Sequence, residues 1–431
     1  MPNYKDTIYA LSTPTGKSAI AVIRISGDQS FNILKKISLI KKIAPKKTKL
    51  TFLKFQKNII DQVLVVFFKK PNSFTGEEMV EISCHGSTAI ITKISKTLEV
   101  LGVRLAEPGE FTRRSLMNNK LDLLQTEGLV DLINSETEKQ RSMAISNLSG
   151  KLSKFVVEIN EQLRSMLANA EALIDFSDED LPKNILSKLL EQNKNIIKRI
   201  KKEIINSEIS KNIREGFFVS LVGKPNTGKS SFINYISNKE VSIVTNIPGT
   251  TTDAVTSTID INGYKFTFVD TAGLRKHKNK IEEIGIKKTK EIILNSNLNL
   301  VFLEKKEMIK YTHIKDKIFI RSKLDKKRAI KSEKNIINIS SKTGEGVKKL
   351  LNKITQKLIK NQKNEPILSR ERQLNIMKQV LHELKMIKSR DSLDIIAFKL
   401  REALRISLEI NQKFDIEDIL DIIFKDFCIG K

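Results

Sequence analysis

The residues best suited to chemistry lie in one stretch, Gly223 to Ser230, which reads GKPNTGKS. In this GxxxxGKS pattern, glycines let backbone amides curl around phosphate oxygens, and the helix that follows directs its positive end at the same oxygens. Lys229 can reach the terminal phosphates, and the hydroxyl of Ser230 can bind magnesium. The pattern predicts a site for a nucleoside triphosphate with Mg²⁺.

Two later segments could complete the metal site and sense the γ-phosphate. Thr250 and Thr251, in the sequence GTTTD, lie where a first switch loop would present a threonine hydroxyl to magnesium. Asp270 opens the sequence DTAG at the end of a β-rich run, where a second switch would begin. Together the two segments predict a metal clamp that responds to the terminal phosphate.

A further segment would select the base. Asp325, in the sequence SKLD, stands where guanine-specific sites carry an NKxD motif, and its carboxylate can accept hydrogen bonds from the guanine ring. Ser322 replaces the asparagine of that motif, and because serine is shorter we expect a lower affinity. The sequence SSK at 340–342 fills the place of the last base-contacting loop. We therefore predict a preference for GTP over ATP, since adenine would leave the carboxylate without donors.

Hydrolysis needs an oriented water and a positive charge on the transition state, which Ras-like enzymes obtain from a glutamine and an arginine finger. Here the residue after DTAG is Leu274, which cannot polarise water. The nearest carboxylates in the following segment are Glu282 and Glu283. Either could orient the water, and the alternative is that both are solvated switch residues.

The segments above need a sheet that brings them to one edge. From residue 216, short β-rich runs alternate with helical patterns, which is typical of a parallel sheet covered by helices. Residues 121–214 and the region after Pro366 carry apolar residues at helical spacing. We predict a multidomain fold: an α+β domain at 1–118, a discontinuous α-helical domain at 119–215 and 365–431, and an inserted α/β P-loop G domain, Ras-like with a mostly parallel sheet, at 216–364.

The net charge is +26, from 76 basic and 50 acidic side chains. Such a charge would attract a polyanion such as RNA. The excess is mostly lysine, however, and abundant Ile and Asn accompany it, so a genome rich in A/T codons explains it equally well. Two distant cysteines favour a reducing compartment over a disulfide framework. No apolar run near the start approaches the roughly 20 residues of a membrane span, so we expect a cytoplasmic protein without a membrane segment.

Six segments carry a second, family-specific pattern. They are Asp6–Ile8, Ile23–Gly27, Ser73–Glu77, Pro108–Thr112, Asp270–Arg275 and Phe427–Lys431. Together they resemble the MnmE (TrmE) family of tRNA modification GTPases, and the likeness covers nearly the whole chain. The PGEFT stretch and the FCIGK ending are specific to this family rather than to GTPases at large.

The resemblance implies an amino-terminal folate-binding domain that also dimerises, a helical domain, and a G domain that dimerises transiently with potassium and GTP. It implies K⁺, Mg²⁺ and 5-formyl-tetrahydrofolate or a related reduced folate as cofactors of a homodimer. An FAD-containing partner, MnmG (GidA), would join it in a heterotetramer or larger complex. The two would add a carboxymethylaminomethyl-type group to the wobble uridine of certain tRNAs.

By position, the resemblance also implies roles for single residues. Glu282 matches the catalytic, water-orienting carboxylate. The ligand sets are Arg24, Glu81, Lys120 and Lys431 for folate, Asn226, Thr245, Ile247 and Thr250 for potassium, and Ser230 and Thr251 for magnesium. The predicted GTP contacts are Asn226, Thr227, Gly228, Lys229, Ser230, Ser231, Thr245, Asn246, Ile247, Pro248, Gly249, Thr250, Thr251, Asp270, Thr271, Ala272, Gly273, Ser322, Lys323, Asp325, Ser340, Ser341 and Lys342.

Three departures from the family pattern affect the nucleotide site: Ser322, a shortened stretch between Leu303 and Ser322, and Thr252 in place of an arginine. They bear on nucleotide affinity and turnover rather than on the fold.

Two other functions compete with this interpretation. The main alternative is a regulatory GTP switch that binds ribosomal RNA without covalent chemistry. Such proteins usually add a second G domain or a GxxG-bearing RNA module, and neither is visible in the sequence. A folate-dependent one-carbon transferase with a decayed G domain is disfavoured by intact Lys229, Ser230, Thr251 and Asp270.

Overall fold

The structure is a computed structural model, and it describes residues 6–176, 184–239, 256–271, 289–304, 308–326, 335–359, 365–411 and 430. The chain divides into two compact units. The first comprises Met1–Val130, Asn147–Val157 and Leu408–Lys431, and the second comprises Asp131–Ser146 and Glu158–Ser407. Each unit contains a six-stranded sheet.

The sheet of the first unit has the strand order β3-β4-β5-β2-β1-β6. Neighbouring strands pair antiparallel, except that β6 pairs parallel with β1. In β4, Val63, Val65 and Phe67 are buried while the residues between them are more exposed, as the two-residue period of a strand requires. The strands are β1 (Ile8–Leu11), β2 (Ser18–Ser26), β3 (Thr48–Phe55), β4 (Asn58–Phe68), β5 (Met79–Gly86) and β6 (Arg104–Leu105).

Two helices, α1 (Ser30–Ile37) and α2 (Thr88–Val100), pack against this sheet. The second begins where Ser87 Oγ accepts a hydrogen bond from the backbone nitrogen of Ile90 at 3.2 Å, an N-cap that satisfies one of the free amides of the first turn. The helical residues that join the strand core are Ile33, Leu34, Ile37, Ile94 and Leu98. These residues recur at the three- and four-residue spacing of a helix face, which explains why both helices pack on the sheet.

Helices follow one another from the first sheet to the second. They are α3 (Glu110–Met117), α4 (Leu123–Ile133), α5 (Glu138–Leu148), α6 (Lys151–Asp175), α7 (Ile185–Ser207) and α8 (Ser210–Glu215). The helical region predicted at 121–214 is therefore present. Residues 177–183, between α6 and α7, lie outside the described residues.

The sheet of the second unit has the order β12-β11-β10-β7-β9-β8. All neighbours pair parallel except β8 and β9, which form an antiparallel pair. The strands are β7 (Phe217–Gly223), β8 (Thr256–Ile261), β9 (Tyr264–Asp270), β10 (Leu298–Phe302), β11 (Lys317–Arg321) and β12 (Ile336–Asn338). The helices along this part of the chain are α9 (Lys229–Lys239), α10 (residues 289–295) and α11 (Val347–Leu358).

Two more helices, α12 (Glu371–Met386) and α13 (Leu393–Leu408), follow the second sheet. Within the second unit α12 packs against α7, and the Asn193 side chain donates a hydrogen bond to the carbonyl oxygen of Leu384 at 3.1 Å. The predicted fold class, an α+β domain with helices and an inserted α/β P-loop domain, is confirmed. The exact domain boundaries stay predictions. No helix in the described part of the chain has both the length and the apolar character needed to cross a bilayer.

Candidate active site

The phosphate loop connects the end of β7 at Gly223 to the start of α9 at Lys229. Glycine is required at two of its positions. Gly228 has φ of +97°, and a Cβ there would lie 2.5 Å from Ser322 Oγ. Gly223 has φ of +151°, and a Cβ there would lie 2.6 Å from the carbonyl oxygen of Phe302. The loop can therefore turn tightly beside its neighbours and present backbone amides to phosphate oxygens.

Lys229 is buried, with 3% of its surface exposed. Its ammonium donates to the carbonyl oxygen of Gly223 at 3.0 Å and to that of Lys224 at 2.8 Å. These contacts keep the charge inside the loop, at the place where the terminal phosphates of a nucleotide would bind. Lys229 thus lies inside the phosphate loop, and its contact with phosphates stays a prediction.

The two described residues of the predicted metal clamp lie together. Ser230 Oγ donates to Asp270 Oδ2 at 2.8 Å, and Asp270, at the end of β9, is only 2% exposed. Its neighbour Thr271 donates from Oγ1 to the carbonyl oxygen of Leu221 at 2.7 Å, which fixes the start of the second switch against β7. Hydroxyl and carboxylate oxygens are the ligands that Mg²⁺ prefers, so this pair fits a magnesium ion.

The base-selecting segment is tied to the phosphate loop. Ser322 Oγ donates to the carbonyl oxygen of Thr227, and the Lys323 ammonium donates to that of Asn226 at 2.5 Å. Lys323 has φ of +63° and Asn226 has φ of +62°, so both turns use left-handed backbone. Ser322 therefore has a structural contact that its short side chain alone did not indicate.

The last base-contacting loop positions the specificity carboxylate. Ser340 Oγ donates to Asp325 Oδ1 at 2.8 Å, which orients that carboxylate. Ser341 and Lys342 follow in the turn at 341–343, and Ser231 lies exposed in the first turn of α9. The structure thus brings the 322–325 and 340–342 segments together beside the phosphate loop.

Other predicted nucleotide-site residues lie outside the described residues. They are Thr245, Asn246, Ile247, Pro248, Gly249, Thr250, Thr251, Ala272, Gly273 and Glu282. Of the predicted potassium ligands, the described residues include only Asn226, and of the predicted magnesium ligands only Ser230. The predicted catalytic carboxylate, Glu282, is not among them. Their roles stay predictions.

Two predicted folate residues form an ion pair in the first unit. Arg24 of β2 stands opposite Glu81 of β5 in the antiparallel register, and Arg24 Nε lies 2.7 Å from Glu81 Oε1. The guanidinium also lies over the ring of Phe74, 5.8 Å from its centroid. About a quarter of each charged side chain is exposed, so the pair stays accessible to a ligand.

The other two folate residues are described less fully. Lys120 is exposed beyond α3, and its aliphatic chain borders Gly76, whose φ of +79° suits glycine. Lys431 lies outside the described residues, but its neighbour Gly430 accepts a hydrogen bond from Ser12 Oγ at 3.0 Å. A Cβ on Gly430 would lie 2.3 Å from the carbonyl oxygen of Leu11, so only glycine fits against β1 at this point.

Sequence reasoning missed a buried charge network in the first unit. Arg114 is 1% exposed, and its guanidinium contacts Asp6 at 2.7 Å, Glu110 at 2.9 Å and Glu77 at 3.2 Å. Arg104 contacts Asp6 and Glu110, each at 2.7 Å. Three of the family-specific segments, DTI, SFTGE and PGEFT, thus meet at one arginine. Each of these segments contains an acidic residue, and this was the one sign of the network in the sequence. The sequence does not show which cation these residues surround.

The network perturbs the carboxyl groups it contains. Burial alone would raise the pKa of Glu110, but hydrogen bonds from Arg104, from the backbone of Glu107 and from Arg114 hold that pKa below its ordinary value. The pKa of Asp6 is also lowered, since its hydrogen bonds with the two arginines outweigh its desolvation. These carboxylates are therefore ionised at neutral pH and act as structural anchors of the strand β1 and the helix α3.

Comparisons with known proteins find relatives over nearly the whole chain. The family model described as the MnmE helical domain matches residues 123–428, and the one described as the GTP-binding protein TrmE N-terminus matches residues 7–120. The tRNA modification GTPase MnmE of Fervidobacterium nodosum is 37% identical, covering 99% of this chain and 98% of its own. The protein of the same name from Roseobacter denitrificans is 36% identical, covering 99% of this chain and 100% of its own.

Among solved structures, the G domain of the T. maritima FeoB iron transporter covers 33% of this chain and 98% of its own at 22% identity, with a TM-score of 0.27. That superposition is too poor to support an inference. The full-length relatives and the two family models confirm the resemblance seen in the sequence. The chain therefore belongs to the MnmE family of tRNA modification GTPases.

Proposed function

We propose that this protein binds GTP at the phosphate loop, hydrolyses it, and uses that cycle to help modify the wobble uridine of certain tRNAs. The observation that supports this most is the convergence of Lys229, Ser230 and Asp270 at the carboxyl ends of adjacent strands. It occurs in a chain whose relatives are named tRNA modification GTPases over nearly their full length.

Different residues of the site would bind the phosphates and the magnesium ion. Lys229 would neutralise the terminal phosphates while the loop amides orient them. Ser230 and Asp270 would hold Mg²⁺ together with Thr251. When bound, that ion neutralises the charge developing on the β- and γ-phosphate oxygens. Because Asp270 also lies next to Thr271, the start of the second switch is linked directly to the metal side of the site.

Guanine selection follows from Asp325. Its carboxylate is oriented by Ser340 at 2.8 Å and would accept hydrogen bonds from N1–H and the 2-amino group of guanine. Adenine offers no donors at these positions. Because the Asp325 side chain is exposed, the preference would come from the hydrogen bonds gained with guanine, about 1.5–3 kcal/mol for bonds to a charged group. Ser322 would hold this pocket against the phosphate loop through its hydrogen bond to the carbonyl oxygen of Thr227.

We infer that potassium supplies the positive charge that an arginine finger provides in Ras-like enzymes. Asn226 is exposed at a left-handed bend of the phosphate loop, where its side chain can serve a cation beside the β- and γ-phosphates. Thr245, Ile247 and Thr250 would complete the ligand set when two G domains pair. Glu282 would then orient the attacking water, a task that Leu274 cannot perform.

The first unit would bind a reduced folate such as 5-formyl-tetrahydrofolate. Glu81 can accept hydrogen bonds from the pterin, and Arg24, Lys120 and Lys431 can face its negative charges. The position of Gly430 against β1 supports a role for the carboxy terminus there. We further propose that the protein is a cytoplasmic homodimer that works with the FAD-containing partner MnmG (GidA).

The hydrolytic part of this proposal is tested with GTP and ATP as substrates for wild type and Asp270→Asn. The matched control is Glu291→Gln, which removes an exposed carboxylate from α10. We expect GTP to be hydrolysed in preference to ATP, and Asp270→Asn to lower the GTP rate by about 10² or more while the control is unchanged. An Asp270→Asn variant as fast as wild type would contradict the assigned site.

A further inference from the structure

A groove lined by lysines lies in the G domain, beside the edge strand β12. Its volume is about 1080 Å³, and residues of β11, β12 and α11 line it. No acidic side chain is found among these described lining residues. The cations are Lys317 of β11 and Lys348, Lys349, Lys353 and Lys357 of α11.

Two of these lysines are held by the backbone at one end of the groove. The Lys357 ammonium donates to the carbonyl oxygen of Lys317 at 3.0 Å. The Lys317 ammonium donates to the carbonyl oxygens of Ile314 at 2.7 Å and Thr312 at 2.9 Å. These contacts fix both ammonium groups at this end of the groove, where they contribute positive charge.

The other three lysines, Lys348, Lys349 and Lys353, are exposed on the outer face of α11. The opposite face of that helix is anchored in the domain core through Leu350 and Ile354, which are fully buried. At a rise of 1.5 Å per residue, the lysines from 348 to 357 extend over about 13 Å. That length exceeds a single phosphate group, so the groove suits a chain of phosphates better than an isolated anion.

A general excess of lysine does not account for this surface. Codon bias raises lysine throughout the chain, but it does not remove acidic residues from one face, and the protein has 50 of them. The helix α7 contains Lys198, Lys201 and Lys202 together with Glu191 and Glu203, whereas α11 contains no acidic residue at all. The charge of the groove is therefore a local feature.

We propose that this groove binds the phosphate backbone of RNA, at a site separate from the nucleotide pocket. Amide side chains such as Asn352 and Gln356 lie among the lysines and can donate to phosphate and sugar oxygens. None of the large apolar side chains exposed on the described residues lines the groove, whereas the core of a protein interface is rich in such groups. The choice of RNA among polyanions rests on the proposed function, while the preference for phosphates does not.

The test is the binding of a fluorescently labelled tRNA transcript to the full-length protein, followed by fluorescence anisotropy at about 50–300 mM salt. The groove variant combines Lys348→Gln, Lys349→Gln and Lys353→Gln. The matched control combines Lys198→Gln, Lys201→Gln and Lys202→Gln, which removes the same charge from exposed positions of α7.

We expect the groove variant to bind about 10²-fold more weakly near 0.1 M salt, with the slope of log affinity against log salt reduced by about 2 to 3. The control should lose only a few-fold, and all three proteins should hydrolyse GTP equally fast. Equal losses in both variants would show non-specific attraction and overturn the proposal. Displacement of the RNA by poly(L-glutamate) as readily as by unlabelled RNA of equal charge would point to an acidic protein and overturn it too. Because hydrolysis is measured separately, failure here is distinct from failure of the proposed GTPase activity.

Discussion

Removal of the guanidinium of Arg114 should destabilise the first unit by about 3–5 kcal/mol, the usual effect of breaking a buried ion pair. Arg114 is 1% exposed and Glu110 is 4% exposed, so water cannot replace the lost contacts. In Arg114→Met the aliphatic volume is largely kept, but Glu110 loses one of its two cationic partners among the described residues, and Glu77 loses its contact at 3.2 Å.

The same prediction has a defined pH dependence. A carboxylate whose pKa is lowered by folding contributes stability above its unfolded pKa, and that contribution is lost as pH falls through the folded value. The pKa values of Glu110 and Asp6 are both lowered in the folded protein. The stability difference between wild type and Arg114→Met should therefore be full at neutral pH and shrink as pH falls below 4.5, the ordinary pKa of a glutamate side chain.

Hydrogen exchange of the amides in β1 and α3, measured on the full chain at increasing urea, gives the opening free energy of this region. Arg141→Met is the control, because Arg141 forms a comparable 2.7 Å pair with Glu138 but both side chains are more than half exposed. We expect no measurable change in that variant. Exchange in Arg114→Met that matches wild type and the control at neutral pH would refute the structural role of the network.

Three further predictions concern ligands. Ser322→Ala should weaken GTP binding about 2- to 10-fold through loss of the contact with Thr227, and Ser322→Asn should strengthen it; calorimetry that finds both variants equal to wild type would remove this residue from the pocket. GTP turnover should be faster in potassium than in sodium, by up to about 10³, and should rise with protein concentration, while Asn226→Ala abolishes the difference and Glu282→Ala slows turnover with GTP binding intact. Equal rates in the two salts would exclude the cation, and a fully active Glu282→Ala would assign the water to another residue. Binding of 5-formyl-tetrahydrofolate should weaken at least tenfold in Glu81→Gln and in a chain lacking residues 428–431, since a charged hydrogen-bonding group is lost in each; unchanged binding after truncation would remove Lys431 from the site.

The nucleotide site could be predicted largely from sequence because its parts are local. The phosphate loop places Lys229 and Ser230 within eight residues, and the strand before it and the helix after it fix their direction. Parallel pairing of β7 with β9 then brings Asp270 to Ser230. The alternation of strands and helices predicted a mostly parallel sheet, whose carboxyl strand ends meet at one edge, but the neighbouring position of β7 and β9 is known only from the structure.

Contacts between distant segments could not be predicted in the same way. Asp6 and Arg114 are 108 positions apart, and only the packing of α3 beside β1 makes them partners. Arg24 and Glu81 were grouped through the family resemblance alone, whereas the β2–β5 register explains their contact. For Ser322, side-chain length predicted a weaker base contact, but its hydrogen bond to the phosphate loop depends on the turn that follows β11.

The most direct test of the proposed function is nucleoside analysis of tRNA from cells that lack this chain. If the protein takes part in wobble uridine modification, these cells should lose the carboxymethylaminomethyl-type nucleoside, wild type and Glu291→Gln should restore it, and Asp270→Asn should not. An unchanged content of the modified wobble uridine in cells without the protein would contradict the proposal.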